Sequence, residues 1–311
     1  MSYETTDFLF ELYHNASQRR PEDFRLHTLK KLQSLIPFDF AVWGGGWADG
    51  RLVSDLTVLD QSEAVLKDWE AVADQDAFCD LTLRHLGTTA RFDDVPEFRR
   101  SFAYNEHWRQ VNASHMMATI KAEHTDGYVS FVGLCADDRP SEFSETERSF
   151  KQALMPHLSQ ALRINRELWT HRTFQKEEAV ALVDQEGWIL LEHGAFREFT
   201  SAEWGDFSAR IPPEVMGTLV KTHYWRGQSL TARLSDFDSH YFIHILFQPE
   251  LACLTPRERQ VAELFATGMT HKQVAATLDT SPSTVRNQLV RIYDKLGISS
   301  KASLAALLRQ A

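Results

Sequence analysis

Residues 254–297 read LTPRERQVAELFATGMTHKQVAATLDTSPSTVRNQLVRIYDKLG, a run that contains the start, turn and stop signals of three successive helices. Thr255 is a hydroxyl N-cap, Pro256 takes the first helical position, and Glu258 falls three residues past the cap to complete a capping box. Val261, Leu264 and Phe265 give this helix an apolar face, and Gly268 ends it. Thr270 caps a shorter helix with Gln273 in the box position and Val274, Ala275 and Leu278 on its inner side. Asp279 to Ser281 form the turn. Ser281 then caps a third helix with Pro282 at its first position. Val285, Leu289, Ile292 and Leu296 make its inward stripe, and Gly297 stops it. A short helix, a tight turn and a third amphipathic helix form a helix-turn-helix. The outer side of the third helix carries Arg286, Asn287, Val290, Arg291, Asp294 and Lys295, and a helix of this width fits the major groove.

The chemistry of that face suits DNA. Arginine forks pair with guanine or phosphate, asparagine pairs with adenine, and Ser283 and Thr284 near the positive helix N-terminus can hold a phosphate. Charge agrees. Residues 251–311 hold 8 Lys and Arg against 4 Asp and Glu, a net of +4, while the remainder of the chain has a net of −14. The basic tail approaches DNA and the acidic remainder avoids it.

LTPRER at 254–259, G-M-T-x-K-Q-V-A at 268–275 and S-x-x-T-V-R-N at 281–287 together resemble the C-terminal DNA-binding domain of the LuxR family of transcriptional regulators. The resemblance implies a sequence-specific DNA-binding regulator that pairs on a two-fold operator, with RNA polymerase as a further candidate partner. It implies a fourth helix at about 300–309 with Leu304, Leu307 and Leu308 as dimer contacts. It also implies base-facing Arg286, Asn287 and Val290, with Thr284, Gln288 and Arg291 nearer the backbone. Thr270, Lys272 and Ser283 complete the expected DNA-contacting set. Many members carry histidine in place of Gln288, and a cation or small polar residue in place of Val290, so the half-site sequence does not transfer.

At 311 residues and 43% hydrophobic composition the chain is long enough for two or three domains with real cores. Its three cysteines, Cys79, Cys135 and Cys253, follow neither disulfide nor zinc spacing. The acidic N-terminus lacks the pattern of an export signal and no apolar run reaches ~20 residues, so the expectation is a cytoplasmic protein with no membrane partner.

Upstream, no repeat is visible. Residues 3–36 read as helical, and FDFAVWGGGW and RLVSDLTVL as two strands about a turn at Gly44–Gly46. A helical region follows at 62–76, then a hairpin turning at about Thr125 to Gly127. A long helix is capped by Ser144 with Glu147 in the box position and contains Pro156. Helices flanking an antiparallel sheet, with the exit pattern F-S-x-x-E…L-x-P-H-L, resemble GAF-type sensor domains over residues 20–170. The hairpin AVALVDQEGWILLE and the strand HYFIHILFQ resemble a reduced PAS-like module. The expected fold class is thus an α+β sensor region, an antiparallel sheet flanked by helices, followed by an all-α four-helix LuxR-type domain. Its parts are a GAF-like domain at 1–170, a PAS-like segment at 171–248 and the DNA-binding domain at 249–311.

Trp43, Trp47, Tyr104, His107, Trp108, His115 and Tyr128 crowd the sensor segment. Aromatic walls with a few polar groups are what a small-ligand cavity needs, and Trp43, Trp47, Tyr104, Trp108, His115 and Tyr128 are the candidate effector contacts. An ordinary core explains any one of these rings as well. His240 and His244 share a strand face but stand ~13 Å apart, and His107, His115 and His124 have no ligand spacing, so no metal and no cofactor is expected. Nucleophile-elbow, metalloprotease, phosphate-loop and dinucleotide motifs are missing, which argues against an enzyme. A phosphoacceptor input domain would need an early strand with paired acids where this chain reads as helix. An acyl-homoserine-lactone sensor is a closer alternative, and an enzyme or scaffold with an appended helix-turn-helix is another. The extra segment at 171–248 favours an orphan ligand-responsive regulator.

Overall fold

The computed structural model describes residues 3–309 apart from 124–126, 138, 140, 175–177, 206 and 208. The chain opens with α1 (Tyr3–Gln18) and α2 (Pro21–Gln33), then pairs β1 (Phe40–Trp47) with β2 (Leu52–Leu59). Short α3 (Val65–Trp69) and α4 (Ala77–Arg84), β3 (Thr89–Arg91) and a series of tight turns lead to β4 (His115–Ala122) and β5 (Tyr128–Ala136). The strands form an antiparallel sheet in the order β2-β1-β5-β4-β3. The hairpin turn expected at Thr125 to Gly127 falls largely outside the described residues.

Period-two alternation sends Ala41, Trp43, Val132 and Leu134 to one face, where α1, α2 and the long α5 (Glu145–Thr173) cover them. Phe40, Val42, Phe131 and Cys135 point to the other face, covered by the segment between β2 and β4. Helix α5 starts at the Ser144–Glu147 capping box and carries Pro156 on its exposed side.

Two expectations fail here for physical reasons. Gly44–Gly46 lie inside β1 rather than in a turn: a Cβ at Gly46 would meet the Leu52 carbonyl oxygen at 2.0 Å, and one at Gly44 the Asp55 carbonyl oxygen at 2.4 Å. β2 crosses so close that only glycine fits. The single helix expected at 62–76 is broken, because the Trp69 indole N–H donates to the Asp76 carboxylate at 2.8 Å. Seven residues of straight helix would separate the two by ~10 Å.

A second sheet follows: β6 (Ala179–Val183), β7 (Ile189–His193), then after α6 (Phe196–Trp204) and α7 (Pro213–Thr222) the strands β8 (Tyr224–Arg226), β9 (Leu230–Phe237) and β10 (His240–Phe247). Its order, β7-β6-β10-β9-β8, repeats that of the first sheet strand for strand. α6 and α7 seal one face, burying Phe196 and Leu219 against Ala181 and Ile243. The two units meet where Trp47 and Tyr128 pack on Trp188, with ring centroids 4.8 and 5.6 Å apart. Beside them the buried Asp55 carboxylate accepts from Arg25 at 2.7 Å, Arg166 at 2.5 Å and His240 Nε2 at 3.1 Å. The two arginines hold the Asp55 carboxyl well below the usual range despite its burial.

The chain ends in α8 (Pro256–Ala266), α9 (His271–Thr277), α10 (Pro282–Leu296) and α11 (Lys301–Arg309) around a core of Val261, Phe265, Val274, Val285, Leu289 and Ile292. This tail rests on the second unit. Arg259 donates to the carbonyls of Gly227 and Gln228 at 3.2 and 2.6 Å, Arg226 pairs with Glu263, and Gln248 donates to the Leu307 carbonyl at 3.3 Å.

Candidate nucleic-acid interface and internal cavity

Local capping shapes the DNA-facing side. Capping boxes close at Thr255–Glu258 and Thr270–Gln273, the Ser281 hydroxyl accepts from the Thr284 N–H at 3.0 Å, and Gly297 takes the left-handed conformation, φ 63°, that ends α10. With Val285, Leu289 and Ile292 buried, Ser283, Thr284, Arg286, Asn287, Val290 and Arg291 are exposed and Gln288 is half-buried. Val290 leaves 56% of its surface in solvent, a large apolar exposure on an otherwise polar face.

The basic residues of the tail from Arg257 to Lys301 divide into two sets. Arg257 donates to the Leu278 carbonyl, Lys295 to Glu258 at 2.6 Å, Lys301 to the Met269 carbonyl, and Arg259 holds the second unit. Lys272, Arg286 and Arg291 are exposed and make no ion pair among the described residues. The first set builds the domain and the second is free to meet phosphates or base edges. Thr270 is exposed, with its hydroxyl committed to the Gln273 side chain at 2.9 Å.

The fourth helix forms as expected, but Leu304 is fully buried in the tail's own core and presents nothing to a partner. A nine-residue helix must bury one face to stay folded, and Leu304 lies on that face. Leu307 and Leu308 are half-buried at its edge.

The aromatic cluster divides three ways: Trp43 and Trp47 share one face of β1 but stand four residues, ~13 Å, apart along it, while Tyr104 and Trp108 lie on the segment that covers the other face. Trp43 lies in the helix-covered core with its ring centroid 6.1 Å from that of Phe24. Trp47 and Tyr128 lie at the junction with the second unit. His115 is half-buried on the rim, its Nδ1 3.2 Å from Arg99, and Tyr104 is packed against Phe92 and Phe98. Of the candidate effector contacts, Trp108 alone lines the internal cavity. His107 is buried beside it, and burial lowers its basicity.

That cavity, about 80 Å³ and partly open to solvent, lies between the sheet and the α3–α4 cover, walled by Val42, Val53, Leu66, Phe78, Met116 and Phe131 among others. Its main polar feature is Asp76, fully buried, which caps α4 by accepting from the N–H groups of Phe78 and Cys79 at 2.9 and 3.0 Å. The other carboxylate oxygen accepts from the indoles of Trp69 and Trp108, each at 2.8 Å. Four donors converge on one carboxylate and fix two of the cavity's aromatic walls. Burial, with Asp76 close by, pushes the Cys79 thiol up to about 12, so it stays protonated and inert. Sequence reasoning passed over Asp76 and Trp69. The available signal was Asp76 as an N-cap, standing between two tryptophans that lie far apart in the chain.

Among the described residues no group of three or more His, Cys, Asp or Glu is placed to hold a metal, and no helix is long and apolar enough to cross a membrane.

The family described as bacterial regulatory proteins, luxR family, matches residues 252–308, the four tail helices just described. Those residues are a LuxR-family DNA-binding domain. Curated relatives of the chain include the probable transcriptional regulatory protein SgaR of Hyphomicrobium methylovorum, 42% identical over 107 residues, which are 34% of this chain and 47% of SgaR. Another is the transcriptional regulatory protein UhpA of Escherichia coli K12, 50% identical over 52 residues, 17% of this chain and 26% of UhpA. The chain thus spans about half of one relative and a quarter of the other. Among solved structures, the VqsR LBD domain from Pseudomonas aeruginosa is 13% identical with a TM-score of 0.41, covering 54% of this chain and 99% of that one.

Proposed function

We propose that the chain is a sequence-specific transcriptional regulator: the LuxR-family tail reads an operator through α10, and the α+β region sets its activity in response to a small molecule held in the internal cavity. The observation that carries this reading is the exposed run Arg286, Asn287, Val290 and Arg291 on a recognition helix whose inner stripe is buried and whose start and end are capped. Arg286 and Asn287 supply direct readout, Val290 suits a thymine methyl group, and Ser283, Thr284, Gln288 and Arg291 with Thr270 and Lys272 supply positioning contacts. Support for the sensor half is an apolar cavity ringed by two indoles that a buried carboxylate holds in place.

In this reading the protein works as a homodimer in the cytoplasm, contacts RNA polymerase at promoters and performs no catalysis. Its first unit is a GAF-like sensor, its second a PAS-like module, and Leu307 and Leu308 at the edge of α11 adjoin the second tail.

Selection of duplexes from a random pool by the full-length chain tests the proposal. The expected result is enrichment of a two-fold symmetric sequence, with affinity falling steeply as salt rises. A pool that stays random after repeated rounds, at a salt where the chain still retains DNA, would contradict it.

A further inference from the structure

Three consecutive residues of β2 touch three different parts of the molecule. Val53 forms part of the wall of the internal cavity, and the same residue lines a surface cleft between the two α+β units, so it is the partition between them. Ser54 lines that cleft beside Trp47 and, from the β6–β7 turn of the second unit, Trp188. Asp55 is the buried carboxylate that His240 of β10 reaches at 3.1 Å.

The ladder here is irregular. The β1–β2 register passes from Gly45 opposite Asp55 to Gly46 opposite Val53, which leaves Ser54 as the extra residue of a bulge. Leu56, Asp55 and Val53 pair with Gly44, Gly45 and Gly46, so no cross-strand side chain pins the register at this point. On its outer side the segment is held by the Val53 N–H donating to the Glu70 carboxylate at 2.8 Å, one residue past α3, which itself carries Leu66 and Trp69 of the cavity wall.

The geometry points to Val53–Asp55 as the element that transmits occupancy of the cavity to the second unit. This rests on the reading of the cavity as a ligand site. A group filling the cavity presses on Val53, and because the bulge leaves Ser54 outside the regular ladder the strand yields there. The movement is delivered to Ser54 and Asp55, and so to Trp188 and His240. The second unit carries the DNA-binding tail through Arg226, Gly227, Gln228 and Gln248, so a shift of β10 and the β6–β7 turn alters the platform on which the tail rests.

Amide hydrogen exchange on the full-length chain tests the proposal without any ligand, using Ala118→Ile to fill the cavity from its floor and His240→Leu to cut the far contact. The expected result is that Ala118→Ile speeds exchange about tenfold at 179–193 and 240–247, a change of ~1.4 kcal/mol in local opening. His240→Leu should speed it in the same segments, and the double variant should add little, because both act through one connection. A response confined to residues 40–136, or a double variant whose effects multiply, would overturn it. Should Ala118→Ile fail to fold, Val53→Ala removes the partition instead and must give a response in the same distant segments. Titration of the wild type with indole tests the ligand reading separately: no binding, together with a transmitted Ala118→Ile effect, would remove that reading and support the coupling.

Discussion

The two sheets have the same strand order, yet a partly open cavity lies against one and the other is filled. In the second unit α6 and α7 lie directly on the sheet, and Phe196, Ile211, Leu219 and Ile243 are completely buried between them. In the first unit the corresponding face is covered by α3, α4 and a chain of short turns, which cannot present a continuous apolar stripe. What closes that gap is Asp76, which pulls Trp69 and Trp108 together across the opening. One topology therefore yields a filled or a hollow interior according to whether regular helices or a polar anchor cover the sheet.

The largest expected effect separates the two interiors. Phe196→Ala in the filled unit should cost ~3–5 kcal/mol, whereas Phe131→Ala, on the wall of an existing cavity, removes fewer contacts and should cost clearly less. Denaturant unfolding followed by amide exchange in each sheet measures both, and equal costs would mean that the first interior is as tightly filled as the second.

Asp76→Ala should come next. It strands two indole N–H groups and the first amides of α4, for a loss of about 2–4 kcal/mol and a red shift of tryptophan emission as Trp69 and Trp108 loosen. If emission and stability stay unchanged, the carboxylate is not the anchor.

Lys151 sharpens the comparison from the helix-covered face of the first sheet. Its ammonium is fully buried and donates to the Thr119 hydroxyl at 2.7 Å and the Val132 carbonyl at 2.9 Å; burial pushes it down to about 7. Between about pH 7 and the ordinary lysine range the unfolded chain holds a proton that the folded chain does not, so stability rises as pH rises through that window. Wild type should gain on the order of 1–3 kcal/mol between pH 6 and pH 10 from this group, and Lys151→Met should lose that rise. Matching pH profiles for the two proteins would show that the amine stays charged.

How much the sequence disclosed follows the same division. The tail was legible down to single caps because its signals are local: Thr255 with Glu258, Thr270 with Gln273 and Gly297 each act within one turn. Leu304 was misassigned to a dimer face because a short helix has one apolar side, and spacing alone does not say whether its own domain or a second copy covers it. The cavity was not legible because Val42, Trp69, Asp76, Trp108 and Phe131 meet only after distant strands pair. The crowd of aromatics in the sequence mixed two sheet faces and a domain junction. Gly44–Gly46 looked like a turn because the reason for glycine is the crossing of β2, which leaves no local trace.

The most direct test of the central claim is the affinity of full-length Arg286→Ala and Asn287→Ala for the selected operator, measured by fluorescence anisotropy beside a scrambled duplex. Both side chains are exposed and lie outside the buried stripe of α10, so each variant should keep its circular dichroism and melting profile. Each should lose ~1–3 kcal/mol of operator binding and relax selectivity at one base position. Folded variants that bind the operator as tightly as wild type would contradict the assignment of α10 as the reading helix.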